Sequence, residues 1–145
     1  MKKQMIFLVA FALLLVGCGE KKLTCTLDET DVVTDMPGFG KTEVTVVHVF
    51  NRSEDELLRT EYTAVLNATN DVEYAYEFAK EDCERDGTLA GVSCTVTRDG
   101  NQITTKTTIL HNELDGVSRA LFGFEGTLSE VRRELVLNGG FGCRT

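Results

Sequence analysis

The stretch Val92-Ser93-Cys94-Thr95-Val96-Thr97-Arg98-Asp99-Gly100-Asn101-Gln102-Ile103-Thr104-Thr105-Lys106-Thr107-Thr108-Ile109-Leu110 decides the fold. Two extended, Thr-rich runs flank Asp99-Gly100, the pattern of an antiparallel hairpin with a tight turn. A two-residue loop pairs Arg98 with Asn101, which sets Val96 against Ile103 and Cys94 against Thr105. Thr95, Thr97, Thr104 and Thr108 then share the opposite face and are expected in solvent.

Upstream, the apolar period changes. Val72, Ala75, Tyr76, Ala79 and Cys83 recur at helical spacing, with Glu73, Glu77, Glu81 and Glu84 largely outside the stripe. Asn70 reads as the cap, with Glu73 three residues on, and the helix is expected to run to about Glu84 before Asp86-Gly87 breaks it. Before it lie three β-rich segments. Residues 23–33 alternate loosely, and residues 36–40 read as a turn. Residues 41–51 place Val44, Val46, His48 and Phe50 on one face, and residues 57–68 do the same for Leu58, Thr60, Tyr62, Ala64 and Leu66.

Downstream, Asn112 is expected to open a short helix with Leu114, Val117 and Leu121 on one side. Thr127-Leu128-Ser129-Glu130 is a capping box, and Leu128, Val131 and Leu135 recur helically behind it. Gly139-Gly140 stops that helix, leaving residues 141–145 as a tail. The order β-β-β-α-β-β-α-α predicts an α+β domain over residues 23–145: an antiparallel sheet of about five strands with about three helices on one face.

Residues 1–17 read as an address. Lys2 and Lys3 precede an unbroken apolar run, Met5–Val16. Its length, about 18 Å as a helix, is short of the roughly 30 Å of a bilayer core, which fits the apolar region of a signal peptide. Leu15-Val16-Gly17-Cys18 has the form of a bacterial lipobox. The Cys18 thiol accepts a diacylglycerol, Leu15 and Gly17 specify processing, and residues 18–22 form a polar tether. Gly19 follows, so the Asp that commonly retains lipoproteins at an inner membrane is missing.

The chain of 145 residues carries a formal charge of −8. Discarding Lys2 and Lys3 with the signal takes it to −10. That surplus argues against nucleic acid as a partner, and against electrostatic docking on an anionic bilayer. With Cys18 lipidated, Cys25, Cys83, Cys94 and Cys143 remain. An even count outside the cytoplasm suggests disulfides, for which three connectivities are open. Cys83–Cys94 and Cys25–Cys143 are favoured, the first closing a short helix-to-strand loop and the second tying the first strand to the tail. Four reduced thiols are the alternative.

Catalytic motifs are sparse. Gly40-Lys41-Thr42 resembles the end of a phosphate-binding loop, but Asp35 stands where its first Gly belongs and a strand follows instead of a helix. Asp28, Glu29, Asp31 and Asp35 lack calcium-loop spacing. His48 and His111 have no ligand spacing to any Cys and read as structural residues. No Gly-x-Ser-x-Gly elbow occurs. No cofactor is expected.

The lipobox and tether, Thr24-Cys25-Thr26-Leu27, the acidic helix, and Leu89-Ala90-Gly91-Val92 entering the hairpin form one layout. It closes with Leu128–Leu135 and Gly139-Gly140-Phe141-Gly142-Cys143-Arg144. This layout resembles the small YehR-like lipoproteins of Gram-positive bacteria and their wall-less relatives. The resemblance implies an envelope-anchored α+β domain and no defined activity. The sequence leads to a non-enzymatic lipoprotein on the outer face of the cell membrane, attached through diacylglycerol on Cys18, with a protein or small-ligand partner. The alternatives are a small-ligand or metal-cation receptor using its acidic surface, and an envelope hydrolase with paired carboxylates.

Overall fold

The computed structural model describes residues 19–29 and 40–145. Strands β1 (Lys21–Glu29), β2 (Lys41–Phe50) and β3 (Leu57–Asn67) are followed by helix α1 (Val72–Asp86). Strands β4 (Val92–Asp99) and β5 (Gln102–Leu110) come next. After a 3-10 turn at His111–Glu113 come α2 (Gly116–Phe122), α3 (Leu128–Leu137) and the short β6 (Gly142–Arg144). One six-stranded sheet runs β4-β5-β3-β2-β1-β6 with every neighbour antiparallel. The fold class is α+β, with one strand more than expected. That strand is the tail: residues 142–144 pair with β1 instead of hanging free. Strand β1 begins at Lys21, inside the stretch read as tether.

The hairpin forms around Gly100-Asn101, with Arg98 opposite Ile103, Val96 opposite Thr105 and Cys94 opposite Thr107. The expected register was therefore displaced by two. Gly100, at φ 61°, supplies the left-handed conformation the turn needs, so Asp99 pairs with Gln102 as the last rung. A shift of two keeps every side chain on its expected face, because the strand period is two. Thr95 and Thr97 are exposed as expected, while Thr104 and Thr108 are half-buried.

One row of the sheet, Leu23–His48–Thr60–Ile109–Val92, crosses five strands and is buried throughout. It runs between two helix contacts. Leu66, Ala68 and Ile103 pack with Ala75, Tyr76 and Ala79 of α1. Leu23, Cys25, Phe50 and Leu57 pack with Leu128, Val131 and Leu135 of α3. A bulge places Val49 opposite Arg59 and Phe50 opposite Leu57, skipping Leu58. Leu57 thereby takes the buried position expected for Leu58, and Phe50 is fully enclosed.

Helix ends follow local chemistry, with two departures. Asp71, not Asn70, caps α1 by accepting from the Tyr74 amide. Asp115 caps α2 in a reciprocal box with Ser118, which moves the helix start past Asn112. Rotated accordingly, α2 buries Ser118 and leaves Val117 and Leu121 more than 60% exposed, against the expected stripe; Leu114 alone of that set is in the core. The box at Thr127 and Glu130 forms as read, and α3 buries Leu128, Val131 and Leu135. Lys41-Thr42 runs straight into β2, and a Cβ at Gly40 would lie 2.1 Å from the Asn67 carbonyl oxygen. This glycine serves a close strand approach and offers no helix N-terminus to a phosphate.

Candidate functional site

The four cysteines after Cys18 are paired as favoured, Cys25–Cys143 and Cys83–Cys94. The pairing follows from topology. Cys25 stands directly opposite Cys143 across β1 and β6, with Cα atoms 4.1 Å apart. Cys83, on the buried stripe of α1, meets Cys94 of β4 beneath it. Cys94 also accepts from the Thr107 hydroxyl. Leu15, Gly17 and Cys18 lie outside the described residues, as do Asp31, Asp35 and the expected turn over residues 36–39. Among the described residues, no group of three or more His, Cys, Asp or Glu is arranged to hold a metal ion, and no helix is long and apolar enough to cross a membrane.

Sequence spacing did not bring His48 and His111 together, but the fold does. The inward alternation of β2 and β3 puts His48 opposite Thr60. The 3-10 turn after β5 brings His111 to the same hydroxyl. His48 Nδ1 lies 2.8 Å from Thr60 Oγ1, which lies 2.7 Å from His111 Nε2. The single hydroxyl proton can serve only one ring, so with both rings neutral the other must present an N–H to the oxygen. The two tautomers are thus linked through Thr60. His48 Nε2 has no hydrogen-bond partner. Its ring packs between Phe124, with centroids 5.2 Å apart, and Phe50 at 6.5 Å.

Burial therefore sets the chemistry. A proton added to His48 puts a cation and an unaccepted N–H in an apolar enclosure. Desolvation, assisted by the nearby His111, lowers its pKa to about 4. His111 is depressed as well, by burial first and then by the Arg119 guanidinium. Thr60 is fully buried and no carboxylate among the described residues hydrogen-bonds either ring. The chain of three groups is a polar strut rather than an activated nucleophile. His111 forms part of the wall of a cavity of about 420 Å³, whose rim carries Asp55, Glu56, Glu125 and Arg119. Glu77, Glu81 and Glu84 stand exposed along one side of α1, outside its apolar stripe as their spacing implied.

No family model matches the chain, and no curated protein or solved structure shows significant similarity to it.

Proposed function

We propose that the chain is an envelope lipoprotein whose α+β domain is held at the outer face of the cell membrane by diacylglycerol on Cys18 and acts by binding rather than catalysis. One observation carries this reading. All four cysteines of the domain are consumed in two disulfides with one another, so Cys18, in its lipobox, belongs to neither bridge. Disulfides persist in oxidising compartments, and a lipobox delivers a protein to one. The YehR-like layout agrees with this reading. The test is mass analysis of the protein from membranes. A mass starting at residue 18, with diacylglycerol added and no free thiol, is expected. Free thiols on the domain, or a Cys18→Ala protein that is processed and membrane-bound like the wild type, would overturn it.

The cavity beside His111 favours a second reading, a receptor for a small polar ligand carrying a cationic group. Asp55, Glu56 and Glu125 supply charge and Phe124 an aromatic wall. A saturable rise in melting temperature with a cationic amine, lost in Glu56→Gln with Glu125→Gln, supports it. No shift across a panel of such amines rejects it.

A further inference from the structure

The net charge hides a local reversal. A groove of about 1060 Å³ runs between the start of β1 and the outer side of α3, lined by Lys21, Lys22, Arg132 and Arg133 with Val136 and Leu137 beside them. Two acidic side chains, Glu20 and Glu54, also line it, as does Thr145 with the last carboxylate of the sequence. None of the four cations lies in an ion pair with a described carboxylate. Arg133 is near enough to Glu130 to help lower its pKa, but the hydrogen bonds from Thr127 do most of that. Leu137 is 72% exposed and Val136 42%. In a chain with 15 basic against 23 acidic residues, four cations around one groove with two exposed aliphatic side chains are a distinct surface.

Its position gives it a partner. Only Gly19 and Glu20 separate Cys18 from the first residue of β1. Three Cα–Cα steps span at most about 11 Å, so a lipid on Cys18 keeps the Lys21–Lys22 end of this groove within that distance of the attachment point. Lys21 and Lys22 are fixed in the sheet and cannot drift from the attachment point. Juxtamembrane Lys and Arg are drawn to anionic lipid, and aliphatic side chains beside them can enter the interface.

We propose that this groove is the membrane-facing surface of the domain: it binds anionic phospholipid headgroups of the bilayer that holds Cys18, with Leu137 entering the interface, and so fixes the orientation of the domain. The inference rests on the lipid anchor proposed above, and its test separates the two. The chain contains no Trp, so Leu137→Trp introduces a single tryptophan, which is excited selectively at wavelengths where Tyr62, Tyr74 and Tyr76 do not absorb. The lipidated full-length variant is reconstituted into vesicles of phosphatidylglycerol and phosphatidylcholine, or of phosphatidylcholine alone, and flotation is scored in parallel. Expected are a blue shift of about 10 nm and quenching by brominated acyl chains in the anionic vesicles. Both should weaken at least threefold in neutral vesicles, in high salt, or in Lys21→Glu with Arg132→Glu, while flotation stays unchanged. Flotation with an unshifted, unquenched Trp overturns the groove proposal and leaves the anchor standing. Absence of flotation and of acyl mass overturns the anchor, and the groove proposal with it. An emission already blue without vesicles means that another part of the chain or a second copy occupies the groove, and it too overturns the proposal.

Discussion

Acidification removes stability from this domain through a neutral base that the fold refuses to charge. In the unfolded chain His48 takes up a proton near pH 6.5; in the folded chain it stays neutral until about pH 4. The unfolded state therefore binds more protons throughout that window. Stability is complete above pH 6.5 and declines as pH falls towards 4. At about 1.4 kcal/mol per pH unit, the full window amounts to about 3 kcal/mol, of which about 2 is lost between pH 7 and pH 5. His111 is shifted in the same direction by burial and Arg119, and adds to the slope. Urea unfolding at pH 7, 6 and 5 measures it above the range where most carboxylates titrate. His48→Gln should flatten the curve by about 2 kcal/mol over those two units, whatever its stability at pH 7. Proton NMR of the wild-type rings reads the same quantity without a variant. A His48 ring titrating near pH 6.5, or parallel slopes in wild type and His48→Gln, would refute the reasoning.

The remaining predictions concern the covalent and polar struts. Replacing Cys25 and Cys143 by Ala opens a loop with a sequence separation of 118, against 11 for Cys83 and Cys94. Chain entropy assigns about 5 kcal/mol to the first and about 3 to the second, so urea midpoints should fall in that order, and the reverse order would count against it. Thr60→Val keeps the shape but leaves two imidazole nitrogens without their partner. A loss of about 2–5 kcal/mol is expected in denaturant titration, against under about 0.5 for exposed Thr97→Val. Gly91→Ala puts a side chain at φ 75°, with its Cβ 2.9 Å from the Leu110 carbonyl oxygen. The backbone conformation alone costs about 1–2 kcal/mol, measurable as a lower melting temperature.

Much of this fold was legible because strand faces and helix stripes are local patterns. Val46, His48 and Phe50 on β2, and Leu128, Val131 and Leu135 on α3, needed only a period to be placed. What failed was chemistry that outranks periodicity. At α2, Asp115 and Ser118 satisfied two helix-end amides and rotated the helix, so that Val117 and Leu121 lost their place in the core. At β3 a bulge exchanged Leu58 for Leu57. The strut of His48, Thr60 and His111 spans 51 residues between its last two members, and it required the register of β3 on β5, which no local pattern encodes. Counting back from the turn over residues 51–56 sets His48 against Arg59; only the bulge that skips Leu58 brings it opposite Thr60, so the first half was hidden as well. The basic groove was invisible in the charge total because Lys21 and Arg132 are brought together by the tertiary fold.

The bridge from Cys25 to Cys143 also decides how the domain carries load. Tension applied between residue 19 and residue 145 enters at Cys25 and leaves at Cys143 through the sulfur atoms. The loop between them, and every hydrogen bond within it, lies outside the force path. A pull on residue 19 against anything gripping the tail could therefore lengthen only the few residues beyond the two cysteines. While the bridge is intact the domain would behave as an inextensible link. Reduction would place the β1–β6 and β1–β2 pairings under the full force at once.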